Sequence, residues 1–177
     1  MVIRLAMPTD AAPLAEFGAR TFEDTYGAAN TPENMSLYLA RTYGVARQAA
    51  EIDDAAMSTI VADSDGRLAG FAQLRAGPAP ASVTGGIPVE LLRFYVDRLW
   101  HGRGVARALM AAVDREASRR GAAVIWLSVW EHNERAKAFY CKCGFADVGG
   151  TVFVLGSDPQ QDRVMARTTI GPRGACS

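Results

Sequence analysis

The sequence predicts an α/β or α+β domain built on a mixed sheet, and three observations predict it. Apolar runs of strand length recur along the chain, and segments with helical spacing fall between them without strict alternation. The chain has 177 residues of which 49% are hydrophobic, enough for one full core and a better fit to one domain than to two. The expected domain covers 1–170, with a flexible tail over 171–177, and no internal repeat or long low-complexity segment interrupts it.

Val2 to Met7 reads as the first strand, and Thr9 or Asp10 as the cap of a helix whose apolar positions include Leu14, Phe17, Thr21 and Phe22. Thr31 before Pro32 opens a second helix carrying Met35, Tyr38 and Leu39, because proline at the first helical position follows a capping residue. A third helix is expected over Val45 to Ala56. Met57 to Ala62 and Leu68 to Leu74 form a hairpin across Asp63-Ser64-Asp65-Gly66, and the Gly/Pro/Ala-rich stretch Ala76 to Gly86 is a loop. Val89 to Val96 is a strand, Val105 to Gly121 a helix, and Ala122 to Val129 a buried strand. Asn133 caps the next helix, with Ala136, Phe139, Tyr140 and Cys143 on one face and Gly144 past its end. Thr151 to Leu155 and Arg163 to Thr169 pair as a closing hairpin.

The stretch His101-Gly102-Arg103-Gly104-Val105-Ala106 joins a strand to a helix N-terminus, which makes it an anion site. Free N–H groups point out of the first helical turn, the helix dipole adds positive charge, and glycines let a pyrophosphate approach the main chain. No Gly-Lys-Ser/Thr ending is present, so this is not a Walker A loop. Arg107 stands where a dinucleotide fingerprint needs its third glycine. Taken alone, Gly-x-Gly is also what a tight turn with a glycine N-cap looks like.

Lys+Arg and Asp+Glu both number 19, so no global field favours nucleic acid or an anionic membrane. No apolar run approaches the roughly 20 residues that span a bilayer, and Pro8 cuts the N-terminal apolar stretch too early for a signal peptide. A cytoplasmic location is expected. Cys141, Cys143 and Cys176 make a poor disulfide framework, and with only His101 and His132 beside them they make no zinc site; helix packing is the reading for the first two.

The turn from His101 to Ala106, followed by Asn133, Ala136, Phe139, Tyr140, Gly144 and Phe145 at N-x-x-A-x-x-F-Y-x-x-x-G-F spacing, resembles the GCN5-related N-acetyltransferases, the GNAT superfamily. His101 stands where that family usually has Gln or Arg. The resemblance implies a single GNAT-like domain with a mostly antiparallel sheet of six to seven strands whose strands 4 and 5 splay apart. It implies acetyl-CoA as co-substrate and no metal, with the pyrophosphate on the amides of His101, Gly102, Arg103, Gly104, Val105 and Ala106. The pantetheine arm would pair like a strand near Phe94, Tyr95 and Val96, and the Val96 N–H would donate to the thioester oxygen. Family analogy also implies a homodimer.

Acetyl transfer to an amine needs a neutral nucleophile, donors to the oxyanion and a proton for the leaving thiolate. An alkyl ammonium with a pKa near 10 must lose its proton first. Glu90 is the candidate base: strand alternation puts it on a face with Leu92, Phe94 and Val96, where a carboxylate is costly unless paired or functional, and the resemblance places it at the family's glutamate, acting directly or through water. Its plain alternative is an edge-strand glutamate paired with a basic neighbour. Tyr140 matches the family tyrosine that protonates the thiolate, against the alternative of a core aromatic. Asn133 either bridges its helix to the cofactor or only caps it.

A further resemblance, to the Pai-type spermidine/spermine N-acetyltransferases, runs through Thr21 to Tyr26, Asn30 to Met35, Tyr38-Leu39, Ile125 to Glu131, Phe153 to Gly156 and Asp162 to Ala166. It implies a small-molecule amine acceptor, with Glu23, Asp24, Glu33 and Glu90 suited to a polycation. Acidic residues in first helical turns also simply favour the helix dipole. An amino acid, aminoglycoside or peptide N-terminus remains the alternative acceptor, and a non-catalytic acyl-CoA-binding domain the alternative role.

Overall fold

A computed structural model describes residues 1–169; the expected tail at 171–177 lies outside the described residues, as does Cys176. In chain order the elements are β1 (Val2–Leu5), α1 (Ala11–Tyr26), α2 (Pro32–Thr42), α3 (Val45–Asp53), β2 (Met57–Ser64), β3 (Arg67–Ala76), β4 (Pro88–Val96), α4 (Val105–Arg119), β5 (Val124–Trp130), α5 (Glu134–Lys142), β6 (Ala146–Leu155) and β7 (Asp158–Thr168). The strands form one seven-stranded sheet in the order β1-β2-β3-β4-β5-β7-β6, with β4 and β5 parallel and every other pair antiparallel. The mixed, mostly antiparallel sheet is therefore as expected. Among the described residues no helix is long and apolar enough to cross a membrane.

Each face of the sheet carries its own core. Val105, Leu109, Met110 and Val113 of α4, with Tyr140 of α5, pack on Ile60, Ala72, Leu74, Leu91, Ile125, Leu127 and Met165. On the other face Leu14, Phe17 and Phe22 of α1 and Met35 of α2 pack on Val61, Phe71 and Leu155. Ala136, Phe139, Tyr140 and Cys143 all meet the first core, so α5 presents the face its spacing predicts.

Several local expectations are corrected. Asp10 stands at the N-cap position of α1, but its side chain makes no cap hydrogen bond there. The Asp10 carboxylate instead accepts from the Met7 N–H at 2.7 Å and pairs with Arg4 at 2.7 Å. The third helix stops at Asp53 because the Asp54 carboxylate accepts from the Ala56 N–H at 2.8 Å, a local turn that competes with the helix. The closing hairpin is longer than expected. β6 starts at Ala146 and absorbs its glycines with a register shift between Asp147 and Gly149, while β7 starts at Asp158. Pro159 is tolerated because β5 pairs with β7 only from Asp162 onward.

The correction that matters most is in β4. Leu91 pairs with Leu74 and Arg93 with the adjacent Gln73, so Leu92 has no partner of its own. One extra residue inverts the alternation. Phe94 and Val96 face α4, whereas Tyr95 faces α1 to α3. Glu90, opposite Arg75, shares the face of Arg93 and Tyr95 rather than that of Phe94 and Val96.

Candidate active site

Parallel pairing between β4 and β5 covers Pro88–Val124, Val89–Ile125 and Glu90–Trp126 and then stops. From Leu91 to Val96 the edge of β4 that would meet β5 is unpaired, because β5 continues along β7 instead. An unpaired edge offers alternating N–H and C=O groups to any extended chain.

The glycine turn lies just beyond this edge. Gly102 and Gly104 have φ of 74° and 82°, the left-handed region that favours glycine, and a Cβ at either position would meet nothing within 4 Å. The turn spends two of the six expected amides on itself: the His101 N–H donates to Arg98 and the Arg103 N–H to Trp100, at 3.2 and 3.3 Å. The amides of Gly102, Gly104, Val105, Ala106 and Arg107 have no acceptor among the described residues. This is an anion cradle, open above and carrying the positive end of the α4 dipole. Arg103 lies over the Trp100 ring at 5.8 Å.

His101 does more than continue the turn. Its Nε2 lies 3.0 Å from the Val96 carbonyl and must donate there, so Nδ1 accepts from the Arg135 guanidinium at 3.2 Å. The imidazole thereby ties the end of β4 to α5. Tyr140 is buried on α5 with its ring 6.3 Å from Phe94 and 5.7 Å from Phe145. Burial pushes its phenol well above the ordinary value. Asn133 caps α5, its Oδ1 accepting from the Ala136 N–H at 3.1 Å, and its Nδ2 donates to the Tyr26 hydroxyl at 3.4 Å.

Glu90 is not on an edge strand, but it is paired. Arg75 donates to it twice, at 2.8 and 2.6 Å, and both bonds fall on Oε2. Oε1 has no donor among the described residues. Glu23, Asp24 and Glu33 are exposed on the outer sides of α1 and α2, with Asp24 within 4.0 Å of Arg20.

On the α1 to α3 face, β4 and β5 part beyond Glu90 and Trp126. Ser128 is exposed in the middle of the otherwise buried β5. Beside it lies Asp162 of β7, only 5% exposed and directly opposite Trp130. Burial raises its carboxyl from 3.8 to about 6, opposed by the Ser128 hydroxyl and assisted by the negative charge of Glu131. No Lys, Arg or His pairs with it among the described residues. Asp162 and Ser128 are functional candidates that the pattern of residues does not single out. The signal is a lone carboxylate in a strand, and its partners are visible only once β5 and β7 are paired.

A family model described as the Acetyltransferase (GNAT) family matches residues 20–145. An uncharacterized N-acetyltransferase of Mycobacterium tuberculosis is 36% identical over 162 residues, 92% of this chain and 99% of that one. An aminoglycoside N(6′)-acetyltransferase type 1 of Stenotrophomonas maltophilia is 29% identical over 152 residues, 85% of this chain and 90% of the relative. Among solved structures, PaiA N-acetyltransferase from Thermoplasma acidophilum in complex with coenzyme A has the same fold, with a TM-score of 0.76 at 21% identity over 95% of this chain and 99% of that one.

Proposed function

The chain belongs to the acetyltransferase (GNAT) family, and from that premise we propose that it moves the acetyl group of acetyl-CoA to a primary amine by direct attack in a ternary complex, with a polyamine such as spermidine or spermine as acceptor. The observation that carries the reading is the cradle of unspent amides from Gly102 to Arg107, set beside the free edge of β4 at Val96. The first suits a pyrophosphate and the second an amide-bearing arm.

The residues then divide the work. The amides of Gly102, Gly104, Val105 and Ala106 hold the phosphates, and the β4 edge at Phe94, Tyr95 and Val96 aligns the arm. His101, by donating to the Val96 carbonyl, anchors the end of β4 one peptide unit beyond the Val96 N–H that would donate to the thioester oxygen. Glu90 accepts the ammonium proton on its free Oε1, directly or through water, with Arg75 steadying Oε2. A phenol raised above its ordinary value is a poor acid toward a thiolate. Tyr140 therefore stabilises the departing sulfur mainly by donating a hydrogen bond, and the amine supplies the proton that finally neutralises it.

A second acceptor class, an aminoglycoside, is supported by the relative from Stenotrophomonas maltophilia. Both classes are polycations. The test is thiol release from acetyl-CoA against spermidine, spermine, an aminoglycoside and an amino acid amide. Release with spermidine at low concentration supports the polyamine reading, release with the aminoglycoside alone supports the second, and coenzyme binding without release on any amine overturns catalysis.

A further inference from the structure

Trp130, Tyr26, Phe22, Tyr38 and Phe153 form a continuous arc of rings over the α1 to α3 face. Successive centroids are 6.1, 4.6, 4.5 and 5.5 Å apart. Asp162 lies on the sheet beneath it. Its neighbours across the strands are Trp130 on β5 and Thr151 on β6, and Phe153 is two residues beyond Thr151 on the same face. The exposed Ser128 marks where solvent reaches this floor.

We infer that Asp162 and this aromatic arc form the subsite that binds an ammonium group of the acceptor, making Asp162 a specificity-determining residue distinct from the Glu90 base. The inference rests on the amine-acetyltransferase reading above. A carboxylate buried without a cation lacks the partner that burial demands. Ring faces concentrate negative potential, so a cation entering between Asp162 and the rings gains from both. No positive charge acts on Asp162 itself: Arg93, which acts on Tyr38, is held by Glu51, and Arg135, which acts on Tyr26, is turned to His101. Tyr26 of α1 and Tyr38 of α2 are neutral phenols, each raised by burial and further by Asp162, and Glu131 past the end of β5 is acidic. A neutral acceptor would leave the carboxylate unpaired, so the subsite selects cations over neutral amides and alcohols.

The test is calorimetry of spermidine binding to the full chain saturated with CoA, with butylamine as the single-charge comparison. Asp162→Asn is expected to weaken spermidine binding about tenfold or more near pH 7.5, with CoA affinity unchanged within about two-fold. Wild-type affinity should fall as the pH drops through about 6, where Asp162 takes up its proton, and the substituted protein should lose that slope. Ser128→Ala, on an exposed side chain and so safe for folding, removes a group that favours the charged carboxylate. It should move the slope to higher pH. Equal spermidine affinity in Asp162→Asn, or a slope that survives it, overturns the inference, and so does failure of the wild type to bind spermidine. If spermidine binds through Asp162 but no amine is acetylated, the catalytic reading falls and the subsite stands. If amines are acetylated equally well by wild type and Asp162→Asn, the subsite falls and the catalytic reading stands.

Discussion

Asp162 sets the binding of a cation against the stability of the fold. Its carboxyl titrates near 6 in the folded chain and near 3.8 in the open one, so between those values the folded state holds more protons. Stability therefore falls as pH rises through that window and stays lower above it. Each unit corresponds to about 1.4 kcal/mol, and with the cost of burying an amide set against it, Asp162→Asn should stabilise the unliganded protein by about 1–3 kcal/mol at pH 8. The gain should vanish near pH 3.5. Thermal melts at the two pH values check this, and an equal or lower melting temperature at pH 8 would contradict it. Tyr140→Phe makes the complementary case: turnover should drop about tenfold or more while CoA affinity holds, because only a bond made as the sulfur departs is lost. Steady-state rates beside CoA titrations decide it, and unchanged turnover removes the role. The helix face that carries Tyr140 was legible in the sequence because its helix announces itself through spacing. Asp162 was not, since its neighbours lie on strands that its own local pattern cannot name.

At the scale of elements, what sequence spacing conveys is a period, and a period is lost wherever one residue is inserted. The helices α2, α4 and α5 follow their caps and apolar stripes closely: the Thr31 hydroxyl accepts from the Asn34 N–H at 3.3 Å, as the Thr-Pro start predicts. β4 does not follow its alternation, because nothing in Leu91-Leu92-Arg93 marks the bulge that moves Glu90 to the face of Arg93 and Tyr95. A bulge without glycine or proline carries no local signature. The turn before α4 is the opposite case, where glycine is needed for two separate reasons. Gly104→Ala must hold a left-handed residue, at about 1–2 kcal/mol, and also puts a methyl group at the mouth of the amide cradle. Since the methyl group clashes with nothing in the free protein, the stability loss should stay near the conformational cost. CoA affinity should fall further, by about tenfold or more. Chemical denaturation beside calorimetry separates the two effects, and parallel small losses in both would show that the turn serves folding alone.

Across the whole molecule, the sheet is two blocks held edge to edge by three residue pairs between β4 and β5. α4 bridges them, packing Leu109 and Val113 into a core that includes Leu74 and Leu91 from one block and Leu127 and Met165 from the other. Composition indicates a domain of this size and kind, but the place where the sheet parts is set by pairing between residues more than thirty positions apart, such as Glu90 and Trp126. A ligand that adds a strand to the free edge of β4 while its phosphates sit on α4 would join the blocks where they are weakest. CoA at about one hundred times its dissociation constant should stabilise the fold by about 2.7 kcal/mol, which for a chain of this size is roughly 5–10 °C in melting temperature. Hydrogen exchange gives the sharper test, because the gain has a location. Amides of β4 from Leu91 to Val96 that face the gap have no strand partner without ligand, so they should exchange quickly and become protected on binding. Val89, already inside the parallel pairing, should change little. Protection confined to the first turn of α4, with none along β4, would mean that the coenzyme is held by its phosphates alone and that its reactive end is not aligned by this strand.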